Sequence, residues 1–182
     1  APLLYVKLPH LQHAHCIPLH WTSHLQQVYY KSLSRGMLLY RVFVEVVQEL
    51  QKHNIDMIVL KGAYLSECVY PDIALRQFTD IDLLVHERDG LRCLELLQNT
   101  GFVPWASQGI SAFVDAQSDF AHYRPMQKGD VSVEIHIKLH TRSKKYKLSV
   151  PHMWERSVPC VIQGLQVRTL CTEDLLMYLC VH

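Results

Sequence analysis

The sequence predicts an α+β domain with one mixed β-sheet flanked by helices and a helical region at its N-terminal end. Three observations carry this reading. Helical periodicity dominates the first third of the chain, short β-rich runs then alternate with helix-like segments, and a cleanly alternating strand is followed by a hairpin signal. Length and composition agree. The 182 residues are 49% hydrophobic and 19% charged, enough apolar material for one compact domain, alone or with a helical appendage. We divide the chain into an N-terminal helical region, 1–53, and a domain over 54–182.

Residues 1–20 are rich in Pro and His and show no clear period. Thr22 or Ser23 can cap a long helix running to about His53. Leu39, Val42, Phe43, Val46, Val47 and Leu50 recur on one helical face, Gly36 should break or bend the helix, and Asn54 closes it. Tyr29, Tyr30 and Tyr40 read as packing residues. Met57-Ile58-Val59-Leu60 reads as a short buried strand, and Ala63–Val69 as a short helix ended by Tyr70-Pro71-Asp72. Thr79-Asp80-Ile81-Asp82-Leu83-Leu84-Val85 is β-rich, and Asp89-Gly90 can start a helix over Leu91–Asn99 that ends near Gly101. Residues 113–126 have mixed strand character. A turn at Gln127–Asp130 then feeds a strand in which Val131, Val133, Ile135, Ile137 and Leu139 face one side, and Ser132, Glu134, His136 and Lys138 the other. Trp154 falls in a helical turn, Gln163-Gly164 marks a hairpin, and Thr172-Glu173-Asp174 starts the last helix.

Eighteen basic and 17 acidic residues give a formal net charge of +1, which argues against the broad basic surface of a general nucleic-acid binder. Six cysteines without CxxC spacing, mostly in apolar runs, read as buried free thiols of a reducing, cytoplasmic compartment. No apolar run reaches membrane-spanning length, and the opening residues lack the pattern of a secretory signal. The absence of an initiator Met, and a final apolar stretch with no helix stop, lead us to expect a piece of a longer protein.

The chemistry centres on acids. Asp80 and Asp82 are two apart in a strand, so both carboxylates share a face with Cβ atoms about 6–7 Å apart. That suits a hard cation such as Mg²⁺, which takes one or two carboxylates and completes its shell with water and phosphate oxygens. The competing reading is a pair of solvated acids at a strand end. Glu134, on the polar face of another strand, would be the third carboxylate of a two-metal phosphoryl or nucleotidyl transfer if the strands are neighbours; its alternative is a half-exposed strand with Glu134, His136 and Lys138 facing water. Lys61-Gly62-Ala63 lies between a strand and a helix, where glycine lets backbone approach phosphate and the helix start favours anions. Its alternative is a simple turn. Arg76 could supply charge to a triphosphate.

Leu60-Lys61-Gly62-Ala63, Tyr70-Pro71, Arg76, Asp80-Ile81-Asp82-Leu83-Leu84-Val85, Gly101-Phe102 and Val133-Glu134-Ile135-His136 together resemble a poorly characterised bacterial nucleotidyltransferase family of the DNA polymerase β-like superfamily. The likeness continues through Met153-Trp154-Glu155-Arg156, Gly164 and Leu170–Leu176, and spans roughly residues 40–182. It implies a nucleotidyltransferase fold and transfer of a nucleoside monophosphate from metal-bound NTP to an acceptor, with release of pyrophosphate. By matching position, Asp80 and Asp82 would be the metal pair, Glu134 the third acid, and Gly62 would line the triphosphate. We expect two Mg²⁺ (or Mn²⁺) ions there, with Lys61, Arg76 and Lys138 offsetting charge on the leaving pyrophosphate. The acceptor is expected to be a small molecule. One position departs from the wider superfamily: Ala63 follows Gly62 where Ser or a second Gly is usual. This supports an alternative, a non-catalytic scaffold of the same fold that binds a nucleotide or a protein partner.

Two other groupings compete. His10, His13, His15, Cys16, His20 and His24 cluster near the start, and His20 and His24 could form a zinc pair, but a surface His-rich segment is the better reading. His136 and His140, four apart in a strand, would lie about 13 Å from each other, too far for easy chelation.

Overall fold

The computed structural model describes residues 2–11, 16–105, 123–139 and 148–181. Helix α1 (Pro2–Lys7) packs on α2 (Leu19–Lys52). Strand β1 (Met57–Val59) leads into the short α3 (Lys61–Tyr64), which continues as a π-type turn over Leu65–Val69. Next come β2 (Asp80–Val85), α4 (Gly90–Asn99), β3 (Val103–Pro104), β4 (Met126–Lys128) and β5 (Val131–His136). Helix α5 (Val150–Arg156), the hairpin β6 (Val158–Ile162) and β7 (Leu165–Thr169), and α6 (Thr172–Val181) complete the described chain. The strands form one seven-stranded mixed sheet in the order β3-β4-β5-β2-β1-β7-β6. Pairing is parallel between β2 and β5 and between β1 and β7, and antiparallel elsewhere. No helix among the described residues is long and apolar enough to cross a membrane.

Strand alternation splits the sheet into two faces. Ile81, Leu83 and Val85 of β2 point with Val133 and Ile135 of β5 into the larger core, where α2 contributes Leu39, Phe43, Val46, Val47 and Leu50 and α4 contributes Cys93, Leu94 and Leu97. Leu84 points the other way, into a smaller core with Ile58, Leu60, Leu139, Met153, Leu170, Leu175 and Tyr178. Asp80 and Asp82 share parity with Leu84, so they belong to this second face, under α5 and α6.

Several expectations meet corrections. The long helix starts at Leu19, after Pro18, rather than at Thr22 or Ser23. Gly36 neither breaks nor bends it into two elements. It is buried against the Ile73 backbone, its helical cost of about 1 kcal/mol outweighed by the flanking core contacts. Asn54 ends the helix as expected, at φ 58°, with Asn54 N–H donating to Gln51 O and Ile55 N–H to Leu50 O. Residues 2–10 are helical, although the sequence there has no clear period. The tyrosines divide: Tyr40 is buried, Tyr29 half-buried and Tyr30 exposed. Of the six cysteines, all free, only Cys93 is buried; Cys16, Cys68 and Cys180 are exposed. A helical apolar run sends only part of its residues inward, so a cysteine inside such a run need not be core. The Gln163-Gly164 hairpin forms with both residues at positive φ, 51° and 76°, the pairing a two-residue turn of matching twist requires. The strand character expected before Met126 and the position of His140 fall mainly outside the described residues.

Candidate active site

The site grows from the centre of the sheet. The parallel register of β2 and β5 sets Asp82 directly beside Glu134, and Asp80 beside Ser132. Both acids of the Asp82–Glu134 pair point to the same face because register neighbours in a sheet share orientation. On the other flank, β1 ends where Leu60 N–H donates to Asp82 O at 3.0 Å. That bond fixes the next residue, Lys61, beside the Asp82 side chain: Lys61 Nζ lies 3.4 Å from Asp82 Oδ2.

Asp82 is 2% exposed, an expensive place for a carboxylate unless partners compensate. Two cations or donors do so, one on each oxygen. Lys61 takes Oδ2, and His136 Nε2 lies 2.9 Å from Oδ1. The same His136 Nε2 is 3.5 Å from Glu134 Oε2. Burial pushes the Asp82 carboxyl upward, but the hydrogen bond and charge of His136, then the charge of Lys61, outweigh it and hold the group below the usual carboxylate range. Donor atoms of Asp82, Glu134 and His136 all lie within 4.8 Å of one another, the one such metal-capable group among the described residues.

Helix α6 closes the face with Tyr178. Its ring lies under Lys61, with Nζ 5.9 Å from the centroid. Burial first, then the negative charge of Asp82, Glu134 and Asp80, pushes its phenol far above the ordinary range. All three acids are therefore within electrostatic reach of one buried hydroxyl.

The sequence-derived residues sort clearly against this geometry. Asp82, Glu134 and Lys61 come together. Asp80 is on the same strand face, half-buried, with Thr79 Oγ1 3.3 Å from its Oδ1, but it is outside the compact donor group. Gly62 and Ala63 are buried in the first turn after β1. A Cβ on Gly62 would stand 2.7 Å from Phe78 Cβ, so close packing of the segment before β2 alone demands glycine there. Tyr40 Oη donates to the Ala63 carbonyl at 2.8 Å and pins the same turn from α2. Arg76 bonds the Gln77 carbonyl, and Lys138 Nζ is 3.9 Å from Glu87, past the end of β5. His136 is the residue that site selection from sequence missed. Read as sharing an open polar face with Glu134 and Lys138, it is instead buried, because its register neighbour Leu84 sits in the second core. The signal was present: parity already placed it beside Glu134 on the acid face. The N-terminal histidines join no metal-capable group among the described residues. Among the described residues His20 and His24 are exposed and flank Trp21, with ring centroids at 5.5 and 6.2 Å; His13 and His15 lie outside the described residues.

The fold has known counterparts. A Thermotoga maritima protein (TM1012), provisionally assigned as a nucleotidyltransferase, superposes with a TM-score of 0.54 at 15% identity, over 76% of this chain and 81% of that one. The antibiotic-resistance factor ANT(2'')-Ia in solution gives 0.51 at 12% identity, over 77% of this chain and 69% of that one. Its crystal structure in complex with adenylyl-2''-tobramycin gives 0.50 at 11%, over 75% and 71%. At these identities the likeness establishes a nucleotidyltransferase fold and nothing finer. No curated protein matches the chain. The family described as "Uncharacterised nucleotidyltransferase" matches across residues 1–182, further toward the N-terminus than the motifs reach, and the chain belongs to that family.

Proposed function

We propose that the protein transfers a nucleoside monophosphate from a nucleoside triphosphate to a hydroxyl group of a small acceptor, at a metal site formed by Asp80, Asp82 and Glu134. The observation that carries this reading is the register pairing of a buried Asp82 with Glu134 across parallel strands, on the face that also bears Asp80. Carboxylates gathered in a poorly hydrated place repel one another and are tolerated when cations join them. Asp82 and Glu134, together with His136, offer donor atoms within 4.8 Å of one another, a number and chemistry suited to a divalent ion, and Asp80 lies on the same strand face beside that group. A bound divalent cation, Mg²⁺ or Mn²⁺, supplies charge for the triphosphate and makes the acceptor hydroxyl more acidic.

Each residue then has a task. Asp82, ionised over the working pH range, presents oxygens in a fixed orientation because Lys61 and His136 hold it from two sides. Glu134 has a side chain 20% exposed, so it can reach an incoming acceptor and orient its hydroxyl. The acceptor oxygen bonds to the α-phosphorus as the α–β bridging P–O bond breaks. The hydroxyl proton passes to Glu134 or solvent, and pyrophosphate leaves with the bridging oxygen. Lys61 stands at the start of α3 beside the acids and is suited to follow the phosphate charge. Gly62 and Ala63 would contribute backbone to the triphosphate's side of the cleft. Arg76 and Lys138 join only by exchanging their present partners, the Gln77 carbonyl and Glu87. The adenylylated aminoglycoside in the ANT(2'')-Ia complex makes ATP and a small polyhydroxylated acceptor the first pair to try.

One observation favours the second reading, a scaffold that binds nucleotide without turnover. Ala63 offers no hydroxyl, and the space over Gly62 is filled by Phe78. The test is pyrophosphate release from each NTP with Mg²⁺ or Mn²⁺ over a panel of small hydroxylated acceptors, beside thermal shift with the same nucleotides. Transfer that vanishes in Asp82→Asn supports the enzyme. Stabilisation by nucleotide with no transfer to any acceptor supports the scaffold, and transfer that survives in Asp82→Asn refutes the site.

A further inference from the structure

We infer that His136 is a nitrogen ligand of the cation held by Asp82 and Glu134, and that it gives the site a preference for a first-row transition ion such as Mn²⁺ over Mg²⁺. This rests on the metal-binding reading above and deepens it by naming a fourth residue and the class of ion.

Metal–ligand bonds to oxygen and imidazole nitrogen are about 2.1 Å long, so donors around one ion sit about 3.0 Å apart at octahedral angles and about 3.4 Å at tetrahedral ones. His136 Nε2 is 2.9 Å from Asp82 Oδ1 and 3.5 Å from Glu134 Oε2. These are the separations of atoms sharing one coordination sphere. A histidine serving only to tether Asp82 would not need the same ring nitrogen to face a second carboxylate. The two Asp82 oxygens also divide their work: Lys61 lies against Oδ2, while Oδ1 meets the His136 Nε2 that also lies against Glu134 Oε2.

His136 cannot easily leave this position. It is the last residue of β5, opposite Leu84, with a side chain only 3% exposed. Ligation needs the lone pair on Nε2, so the ion takes the place of the Nε2 hydrogen bond to Asp82 Oδ1, and the ring proton sits on Nδ1. Oxygen-only sets suit Mg²⁺, whereas an imidazole among carboxylates moves preference toward transition ions, of which Mn²⁺ accepts both donor types.

The test uses the full chain loaded with Mn²⁺ and read by electron spin-echo envelope modulation, with calorimetric titration of Mn²⁺ and Mg²⁺ into wild type, His136→Gln and Asp82→Asn. Wild type should show imidazole ¹⁴N modulation. His136→Gln should lose it and bind Mn²⁺ at least about tenfold more weakly, with a smaller loss for Mg²⁺. Glutamine keeps a donor for Asp82, and a melting curve checks the fold; should the variant unfold, the wild-type spectrum alone decides. Mn²⁺ bound without ¹⁴N modulation overturns the inference, as does an equal loss of both ions in His136→Gln. If Asp82→Asn still abolishes binding in either case, the acid site stands and only the histidine ligand falls. Unchanged Mn²⁺ binding in Asp82→Asn removes the acid site itself.

Discussion

Gly62→Ala is a demanding test of the turn that carries Lys61. The new Cβ would meet Phe78 Cβ at 2.7 Å, Cγ at 3.1 Å and Cδ2 at 3.2 Å. Carbon pairs favour about 3.5–4.0 Å, so one side must yield by nearly 1 Å. Phe78 cannot rotate out of the way, since its Cβ is fixed to the backbone. Its ring is also held 5.4 Å from that of Tyr40, whose hydroxyl binds the Ala63 carbonyl. Overpacking of this kind costs about 1–3 kcal/mol. Alanine recovers about 1 kcal/mol of helix propensity, because Gly62 lies in a helical turn. Because the carbon that the new Cβ meets is fixed to the backbone, the overpacking cost falls in the upper part of its range, and the net loss should be about 1–2 kcal/mol, a fall of about 2–8 °C in Tm for a chain of this size. Urea denaturation followed by circular dichroism measures it. In a Phe78→Gly background the collision is gone, Cβ included, and the same Gly62→Ala change should be neutral or stabilising. Equal or greater stability of Gly62→Ala in the wild-type background would refute the packing argument for this glycine.

Other consequences follow from single contacts. Tyr40→Phe removes the buried donor to the Ala63 carbonyl and should cost about 1–3 kcal/mol in urea denaturation, because the carbonyl is left dry and unpaired. Among the described residues Trp154 Nε1 is buried without a partner, while its ring stacks on His86 at 4.0 Å. Trp154→Phe therefore keeps an aromatic face and discards an orphan donor, and should cost less than the about 3 kcal/mol or more expected for Trp154→Ala, a difference that melting curves resolve. Asp82 holds its proton less tightly when folded than when unfolded, so its contribution to stability is full above the ordinary carboxylate range and is lost as pH falls through its depressed folded value. Asp82→Asn should flatten that acid limb in denaturation measured from pH 7 down to 3; an unchanged limb contradicts the assignment.

Much of this architecture was legible because burial wrote it as periodicity. The 39–50 face of α2, the strand at Asp80–Val85 and the alternation of Val131, Val133 and Ile135 each show their inward residues directly. The Gln163-Gly164 turn is legible from local backbone chemistry. What sequence could not state is register. Nothing in the residues says that β2 and β5 are parallel neighbours with Asp82 opposite Glu134; that follows from long-range pairing of residues 52 positions apart in the chain. His136 was obscured for the same reason. Its polarity suggested a wet surface, whereas its burial depends on which core Leu84 joins. Gly62 is the reverse case, a residue matched to phosphate binding by motif that also has a sufficient packing cause in Phe78.

The central claim is that nucleotide and metal meet on the acid face of the sheet between β2 and β5. A crystal soaked with Mn²⁺ and a non-hydrolysable ATP analogue tests it most directly, since manganese is located by its anomalous scattering. We predict an anomalous peak within about 2.3 Å of carboxylate oxygens of Asp82 and Glu134, with the triphosphate beside Lys61. A peak or a nucleotide bound elsewhere, with Lys61 and His136 still closed on Asp82, would contradict the account.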